Sequence, residues 1–521
     1  WQKYEAEART QAARIARQQI RKWKVEKEDF EKKLSDIYLN SLASAFDPHS
    51  AYFASEDKES FLSNLSTSAF SYGFYVKESD EGSMLVSILT PGGPAWRSGE
   101  IHSGDKVISI QKEGKTETDF SSLGIEEVYE QLMPGNEKYM DVTLISSNDI
   151  KKTIRLKKEK LKVEENILQG YLLEGSRKAG YIALPDFFVQ EGSNWMLGCA
   201  NEVAKEILKL KKENIEGIIL DLRYNGGGSL KEAIDLAGLF INEGPMMMST
   251  ERNQKPHLIK DLNRGTLYDG PLVIMINNYT ASAAEVLSMI LKDYNRAVII
   301  GTQSYGKATG QNISPLDLSI DPVAYKTDPQ NKSLTKFVKI TNATLFSVKG
   351  VTYQKKGITP DIVLLDINNT QQSYESQYPN ALSPDSLNKK LLYTPCPNLP
   401  LKELAENSNK RVEQSWRFRR VKEISDSLQK AGKIKTVPIE WKSFTKWNKN
   451  ADEVMDQIDS LLNNKEASFK VNNNRFAQDL ISVDDYLKEI IDAEIKNIRN
   501  DIYIEEAYKT LIDLIQITTK K

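Results

Sequence analysis

Histidine is scarce in this 521-residue chain, which contains only three. His49, His102 and His257 stand in no recognisable catalytic-triad context, and the motif G-x-S-x-G is absent around Ser282. These absences argue against a serine–histidine–aspartate hydrolase. His49, within FDPHS, also lacks a cysteine or acidic partner at metal-ligand spacing, so we interpret it as a structural turn residue.

Cysteine is also scarce, with two residues in the whole chain. Cys199 and Cys396 are far apart and lack the spacing of a metal site. Cys199 lies in an apolar helical stretch and is predicted to be a buried packing residue, while nothing supports a disulfide between the two. No motif for a metal, nucleotide or other cofactor is apparent, so we predict that none is needed.

Strong net charge and long apolar runs are both missing. The 70 basic and 72 acidic residues give a formal net charge of −2, which does not suggest nucleic-acid binding. No segment reaches the roughly 18 consecutive apolar residues that a membrane span needs. The chain begins with the polar segment WQKYEAEART, which has neither an initial Met nor the pattern of a signal peptide. We expect a trimmed or mature form to begin in this way, so the start of the chain carries no information about the compartment.

The chain is too long for one hydrophobic core, and its composition divides it into four predicted regions. Helical spacing of apolar residues dominates the first, short strands with Gly/Pro turns the second, and alternating strands and helices the third. The fourth turns polar and then helical again, over 401–432, 451–464 and 483–519. The predicted boundaries are 1–66, 67–160, 161–370 and 371–521. The alternation in the third region favours an α/β core with largely parallel strands.

Ser282 and Lys307 form the most informative pair in the sequence. Ser282 comes between an apolar strand (271–276) and a helix, and Lys307 follows a second apolar strand (297–300). A serine hydroxyl needs a neighbouring base to become a good nucleophile, and a lysine in an apolar setting can be that base. Singly, Ser282 would be read as a helix N-cap and Lys307 as a solvated loop residue, so the joint pattern carries the hypothesis.

A glycine triplet in DLRYNGGGSL lies between a predicted strand and a predicted helix. Glycine lets the backbone approach a substrate closely, and backbone N–H groups can hold the negative charge of a tetrahedral intermediate. We expect Gly227 or Gly228 to give one such donor and Ala283, at a helix N-terminus, to give the other. An ordinary strand-to-helix turn is the alternative reading of the triplet.

The segments YTASAAE, KDY, SYGKATGQ, DLRYNGGGSL and FDPHSAYF resemble those of the carboxy-terminal processing, or tail-specific, peptidases of family S41. The resemblance runs over about the whole chain and implies a multidomain α+β protein. It would have a crotonase/ClpP-like α/β core, a PDZ domain and helical N- and C-terminal regions. The sequence departs from the family at Ala308-Thr309, where Gly-Thr or Gly-Ser is usual.

By position, the resemblance makes Ser282 the nucleophile, Lys307 the general base and Gln311 the residue that orients the lysine. Glu285 and Asp293 match acidic positions on the nucleophile helix, where we expect structural roles. The implied location is the periplasm or cell envelope of a bacterium.

The second region is similar to a PDZ domain through PGGPAWRSGEIHSGDKVISI. Such a domain binds a peptide C-terminus with backbone N–H groups and adds the peptide as a strand at the sheet edge. Tyr72, Gly73 and Phe74 would form the carboxylate-binding loop. Val128 and Leu132, one helical turn apart, would face the groove, although packing in the domain core is an equal alternative for each.

The sequence therefore predicts a serine endopeptidase that cleaves proteins recognised by apolar C-terminal tails, through an acyl-enzyme. Its partners would be protein or peptide substrates, and an adaptor or self-association through the helical ends is left open. One alternative is a non-catalytic PDZ scaffold on the same fold. A more remote one is a crotonase-type acyl-CoA enzyme, which CoA affinity would reveal.

Overall fold

The computed structural model describes most of the chain beyond the N-terminal segment. Described residues are 27–53, 68–79, 82–90, 92–120, 123–133, 137–146, 148–162, 168–189, 198–251, 254–317, 336–367, 374–432, 440–445, 467–481 and 485–519, with isolated positions 5, 9, 12, 13, 16, 319 and 449. The helix predicted at 451–464 and most of the helical pattern predicted before residue 27 lie outside them.

The described strands and helices are numbered along the chain. The strands are β1 Ala51–Phe53, β2 Ser68–Ser71, β3 Phe74–Glu78, β4 Met84–Leu89, β5 Lys106–Lys112, β6 Thr118–Asp119, β7 Tyr139–Ile145, β8 Lys151–Lys157, β9 Glu159–Lys162, β10 Gly170–Glu174, β11 Lys178–Ala183, β12 Gly217–Asp221, β13 Gly244–Glu251, β14 His257–Asp261, β15 Leu272–Ile276, β16 Val298–Gly301, β17 Thr309–Pro315, β18 Phe337–Phe346, β19 Ile362–Val363 and β20 Lys470–Asn473. The helices are α1 Lys27–Ser44, α2 Pro94–Ser98, α3 Ile125–Leu132, α4 Cys199–Lys212, α5 Leu230–Gly238, α6 Ala283–Asp293, α7 Leu401–Gln414, α8 Trp416–Gly432, α9 Arg475–Ile481, α10 Asp485–Asn500 and α11 Ile502–Thr519.

The chain forms two compact units. Unit 1 comprises residues 1–45, 50–165 and 313–340, and unit 2 comprises 46–49, 166–312 and 341–521. This mixture of strands and helices confirms the predicted α+β class at the coarse level. The four-region division and its boundaries stay a prediction.

Unit 1 contains an antiparallel sheet in the order β3-β4-β5-β7-β8, in which β3 is an edge strand. The predicted strands at 86–89, 106–110 and 141–145 are confirmed, and α3 has the predicted bounds. Alternate residues Met140, Val142 and Leu144 of β7 are fully buried, as expected for a sheet with one face on a core.

Unit 2 is built on a sheet in the order β19-β16-β15-β12-β11-β10-β20. Strands β11, β12, β15, β16 and β19 run parallel, which confirms the parallel core predicted from the alternating pattern. Every residue of β12 and β15 is buried, because helices cover both faces of the sheet. The inner strands are therefore continuous apolar runs.

The two faces of this sheet belong to different hydrophobic clusters. Ile218 and Leu220 of β12 pack in the cluster that includes α4, α5 and α6. Ile219, between them in sequence, packs in the cluster formed with the C-terminal helices α7, α8, α10 and α11. The C-terminal segment thus supplies one of the two layers over the central sheet.

The C-terminal segment also adds a strand that sequence reasoning missed. Strand β20 pairs antiparallel with β10 at the edge of the sheet. Its sequence, KVNN, contains one apolar residue, so it has no strand periodicity to read. The helical stretches predicted at 401–432 and 483–519 are each interrupted, at Ser415 and at Asp501.

Among the residues that the structure describes, no helix combines the length and apolarity needed to cross a bilayer.

Replacing a buried leucine of α11 tests whether the C-terminal layer stabilises the core. Leu511 is fully buried, and a Cβ atom added to Gly217 of β12 would lie 2.7 Å from its Cδ1. We expect Leu511→Ala to lower the free energy of unfolding by about 2–5 kcal/mol, because it leaves a cavity. Leu392→Ala is the matched control, since Leu392 is 98% exposed and should change stability little. Equal stability of the two variants in denaturant unfolding would contradict the packing role.

Candidate functional site

Ser282 lies at the N-terminus of α6, in the turn that follows β15. Its φ of +57° places it in the left-handed region, which costs energy for a residue with a side chain. Backbone held in such a conformation is frequent at functional sites. The strand-to-helix position expected for Ser282 is what the structure has.

Lys307 lies in the loop between β16 and β17. Strands β15 and β16 are parallel neighbours, with Ile276 and Gly301 as register partners at their ends. The loops that carry Ser282 and Lys307 therefore start from the same edge of the sheet. Gln311 is the third residue of β17. Its Oε1 accepts a hydrogen bond from Lys307 Nζ over 2.8 Å.

The side chain of Glu285 joins the serine and lysine loops. One carboxylate oxygen accepts from the backbone N–H groups of Ser282 (2.8 Å) and Lys307 (2.9 Å). The other accepts from the Ser304 hydroxyl (2.5 Å) and the Gly306 N–H (2.7 Å). The backbone nitrogens of Ser282 and Lys307 thus both lie within 3 Å of one oxygen atom.

Glu285 is fully buried, and burial raises its pKa to about 7, with the four hydrogen bonds acting in the opposite direction. A carboxylate is suited to this position because the three backbone N–H groups can only donate. The Ser304 hydroxyl also donates to Glu285, since an ionised carboxylate can only accept, and the Ser304 oxygen accepts from the Ile358 N–H over 2.6 Å. The structure thus gives this predicted supporting residue contacts with both loops.

The glycine triplet lies directly against the serine. A Cβ atom on Gly227 would be 2.7 Å from Ser282 Cβ, so no other residue fits there. Gly227 donates its N–H to Asn225 Oδ1 (2.9 Å), and the Asn225 carbonyl accepts from the Ala281 N–H (2.9 Å). The loop and the serine turn are thus held together through their backbones.

Gly228 and Ala283 keep backbone N–H groups that no described residue accepts. Gly228 is bridged to Phe187 through its neighbours, since Phe187 donates to the Gly227 carbonyl and accepts from the Ser229 N–H, each over 2.8 Å. Ala283 is the first residue of α6, where backbone N–H groups have no intrahelical partner.

Asp293 lies apart from these groups, at the C-terminal end of α6. It lies ten positions after Ala283, or about 15 Å along a helix. One carboxylate oxygen forms an ion pair with Lys349 Nζ at 2.9 Å, and the Tyr393 hydroxyl donates to the backbone carbonyl over 3.2 Å. Its contacts are those of a structural residue.

The residues predicted to bind a peptide carboxylate are in unit 1, at the start of β3. Tyr72 is buried and donates its hydroxyl to Glu137 Oε1 over 3.0 Å. Gly73 has a positive φ of 82° and donates its N–H to Ser71 Oγ over 3.0 Å. Phe74 is buried and pairs with Leu89 of β4.

The two predicted groove residues of α3 differ in exposure. Val128 is fully buried in the core of unit 1, whereas Leu132 is half-buried at the margin of that core. The neighbouring Tyr129, which sequence reasoning did not select, is 37% exposed and donates its hydroxyl to the Val76 carbonyl of edge strand β3 over 2.6 Å. Of these α3 positions, Tyr129 and Leu132 are the accessible ones.

Sequence reasoning also missed several residues around Lys307. Asp47 and Thr341 continue the hydrogen bonding beyond Gln311, and Gln354 accepts the N–H of Ala308. The motif FDPHS was a signal for Asp47, but His49 within it was interpreted as a turn residue. The structure does place His49 in a turn, and it pairs His49 Nε2 with Glu375 Oε2 at 2.7 Å.

Comparison with known proteins gives matches across most of unit 2. Residues 178–364 match the family model described as peptidase family S41. Residues 369–516 match the model for the C-terminal domain of tail specific protease. The matched ranges contain Ser282, Lys307 and Gln311, and then the helices that cover the second face of the sheet.

Individual relatives agree with these models. A tail-specific protease from Haemophilus influenzae is 29% identical over 354 residues, which are 67% of this chain and 48% of that protein. A carboxy-terminal-processing protease from Bartonella bacilliformis is 28% identical over 351 residues, covering 64% of this chain and 70% of that protein. The chain spans about half the length of the Haemophilus relative.

Among solved structures, the photosystem II D1 C-terminal processing protease is similar at 21% identity and a TM-score of 0.37, covering 63% of this chain and 81% of that one. The chain is therefore similar to peptidase family S41 over residues 178–364 and to the C-terminal domain of tail specific protease over residues 369–516.

Proposed function

We propose that this chain is a serine-type endopeptidase that cleaves proteins recognised by their apolar C-terminal tails. The observation that carries the proposal is the buried Glu285 carboxylate, which accepts from the backbone of both Ser282 and Lys307. It holds a candidate nucleophile and a candidate base in adjoining loops. Lys307 in turn donates to Gln311, which supports the predicted orienting role.

In the acylation step, Lys307 in its neutral form takes the proton of the Ser282 hydroxyl as the serine oxygen attacks the scissile carbonyl carbon. The carbonyl becomes a tetrahedral oxyanion. When the C–N bond breaks, the leaving amine takes the proton from Lys307, and an acyl-enzyme ester on Ser282 remains. Lys307 then activates a water molecule, whose attack releases the new carboxyl terminus and restores Ser282.

We assign the oxyanion to the N–H groups of Gly228 and Ala283. The Gly227 N–H is used by Asn225, so Gly228 is the better supported of the two predicted glycine donors. The N-terminus of α6 adds the favourable field of the helix dipole at Ala283. Gly227 would contribute in a different way, because its lack of a side chain leaves room for Ser282.

For tail recognition, we propose that unit 1 acts as a PDZ domain. Its edge strand β3 follows Tyr72 and Gly73, and an extended peptide can add to such an edge by backbone hydrogen bonds. The half-buried Leu132 and the partly exposed Tyr129 of α3 would contact the tail. Val128 would support α3 from the core rather than touch the peptide.

The proposal extends to compartment and cofactors. The relatives from Haemophilus influenzae and Bartonella bacilliformis are bacterial proteins, and we propose a periplasmic or cell-envelope location for this one. The serine–lysine chemistry uses only groups of the chain itself, so the reaction is proposed to need no cofactor.

The first test is proteolysis of an unfolded protein with an apolar C-terminus by the parent protein and by Ser282→Ala and Lys307→Ala. We expect each variant to lose activity by about 10³-fold or more, since the nucleophile and its base act as a unit. Exposed Ser383→Ala and Lys390→Ala are the matched controls and should cleave normally.

A second substrate, identical except for a charged C-terminus, tests the role of the tail. We expect slower cleavage, because charged side chains are costly to bury against apolar groove residues. If the parent protein binds the apolar tail tightly but cleaves neither substrate, the non-catalytic scaffold becomes the better explanation.

Two neighbouring glycines give a paired test of the glycine loop. A side chain at Gly227 would collide with Ser282, whereas a Cβ atom on Gly226 meets nothing within 4 Å. We expect Gly227→Ala to lower kcat/KM about 100-fold or more by displacing the nucleophile, and Gly226→Ala to remain within a few-fold of the parent. Comparable losses in both variants would show that the loop tolerates no change, rather than that Gly227 makes room for Ser282.

Replacing Glu285 tests the carboxylate that joins the two loops. Glu285→Gln has one acceptor oxygen for four donors, and its NH₂ group would face N–H groups. We expect kcat at pH 8 to fall at least about ten-fold, because one buried donor pair loses its acceptor. Steady-state kinetics, with circular dichroism to verify folding, measures this effect. Unchanged kcat in a folded variant would contradict the role.

The same variant tests the raised pKa of Glu285 through stability. With a folded-state pKa of about 7 against an ordinary value of 4.5, the folded protein holds a proton that the unfolded chain has released. The Glu285 contribution to the free energy of unfolding is therefore greatest below pH 4.5 and decreases as the pH rises to about 7. Denaturant unfolding at pH 5 and 7.5 should show this loss, up to about 3 kcal/mol, in the parent but not in Glu285→Gln. Parallel changes in the two proteins would refute the raised pKa.

A further inference from the structure

A directed chain of hydrogen bonds extends from Lys307 to a buried carboxylate far away in sequence. Lys307 Nζ donates to Gln311 Oε1, and Gln311 Nε2 donates to Thr341 Oγ1 over 3.1 Å and to Thr309 Oγ1 over 3.0 Å. The Thr341 hydroxyl donates to Asp47 Oδ1 over 2.8 Å. Asp47 is 5% exposed, so the whole chain ends at a buried acceptor.

The carboxylate fixes the direction of every bond in this chain. An ionised carboxylate can only accept, so the single hydrogen of the Thr341 hydroxyl points to Asp47. The Thr341 oxygen can then only accept from Gln311, which places the NH₂ group of the amide at Thr341. The Gln311 carbonyl oxygen is consequently the atom that faces Lys307.

This amide orientation decides whether Lys307 can act as a base. A neutral amine has two N–H donors and one lone pair. The Gln311 oxygen takes an N–H and leaves the lone pair available for the serine proton, whereas a reversed amide would donate into the lone pair and occupy it. The orientation of Gln311 therefore matters as much as its presence.

We propose that Asp47 is a positioning residue for Lys307, acting through Thr341 and Gln311 to keep the amide oxygen on the lysine. The inference rests on the proposed role of Lys307 as general base. Asp47 touches neither substrate nor the reacting atoms in this scheme. Asp47 sets the direction of the hydrogen bonds that the Thr341 hydroxyl and the Gln311 amide make between it and Lys307.

A second contact of the same segment supports the proposal independently. His49, two residues after Asp47, pairs with Glu375 Oε2 at 2.7 Å, and Glu375 Oε1 accepts from Gln354 Nε2 over 2.8 Å. Gln354 then uses its amide oxygen to accept the N–H of Ala308 over 2.7 Å. The Glu375 carboxylate thus fixes the orientation of the Gln354 side-chain amide, and that amide holds the backbone next to Lys307. Residues 46–49 thus act on the base loop by two routes.

The test compares Thr341→Val, which removes the hydroxyl at nearly constant shape, with Thr341→Ser, which keeps it. We expect Thr341→Val to lower kcat at least ten-fold with KM within two-fold, and Thr341→Ser to retain at least half of the parent kcat. Asp47→Asn should resemble Thr341→Val, because an asparagine NH₂ can donate to Thr341 and permit the reversed amide. If Asp47→Asn fails to fold, the threonine pair still decides.

Non-additivity distinguishes positioning from general destabilisation. In a Gln311→Ala background, adding Thr341→Val should lower kcat by less than two-fold, because the amide through which it acts is gone. A further ten-fold fall there, full activity of Thr341→Val, or an equal loss in Thr341→Ser would each overturn the proposal. If Lys307→Ala is inactive while Thr341→Val is fully active, only this inference fails. If Lys307→Ala stays active, the proposed function fails and this inference with it.

Discussion

The buried carboxylate of Glu285 is the interaction on which the geometry of the site depends. Burying a carboxylate is costly unless its oxygens are satisfied, and the first turn of a helix leaves backbone N–H groups without partners. Glu285 meets both needs, because its oxygens accept hydrogen bonds from the N–H of Ser282 and from the loop that carries Lys307. Two loops that are separate in sequence are thereby held together.

That arrangement is available because of the parallel sheet. Neighbouring parallel strands end at the same edge, so the turns after β15 and β16 start side by side. A sheet of this type needs both faces covered, and the C-terminal helices supply the second layer. Arg223, near the base of the glycine loop, pairs with Asp221 and with Asp501 of the C-terminal segment, at 2.6 and 2.9 Å. The C-terminal region is therefore part of the scaffold behind the site.

A recurring device around Lys307 is an amide whose orientation is set by a carboxylate. Gln311 is oriented through Thr341 by Asp47, and Gln354 directly by Glu375. An amide side chain has nearly the same shape in both orientations, so packing alone would not select one. Charge selects it instead, since a carboxylate accepts and never donates when ionised.

The sequence by itself determined the local parts of this protein: the apolar runs of β15 and β16, the serine at a helix start, and helix Ile125–Leu132. Each has a periodicity or a boundary signal within a few residues. Only the tertiary structure decided which distant groups meet, such as Asp47 with Thr341, 294 residues apart, and His49 with Glu375, 326 apart. It also decided that the polar strand β20 joins the sheet, and that Val128 packs in the core. Such pairings depend on the path of the whole chain, because hydrogen-bond complementarity between distant segments leaves no pattern in either segment alone.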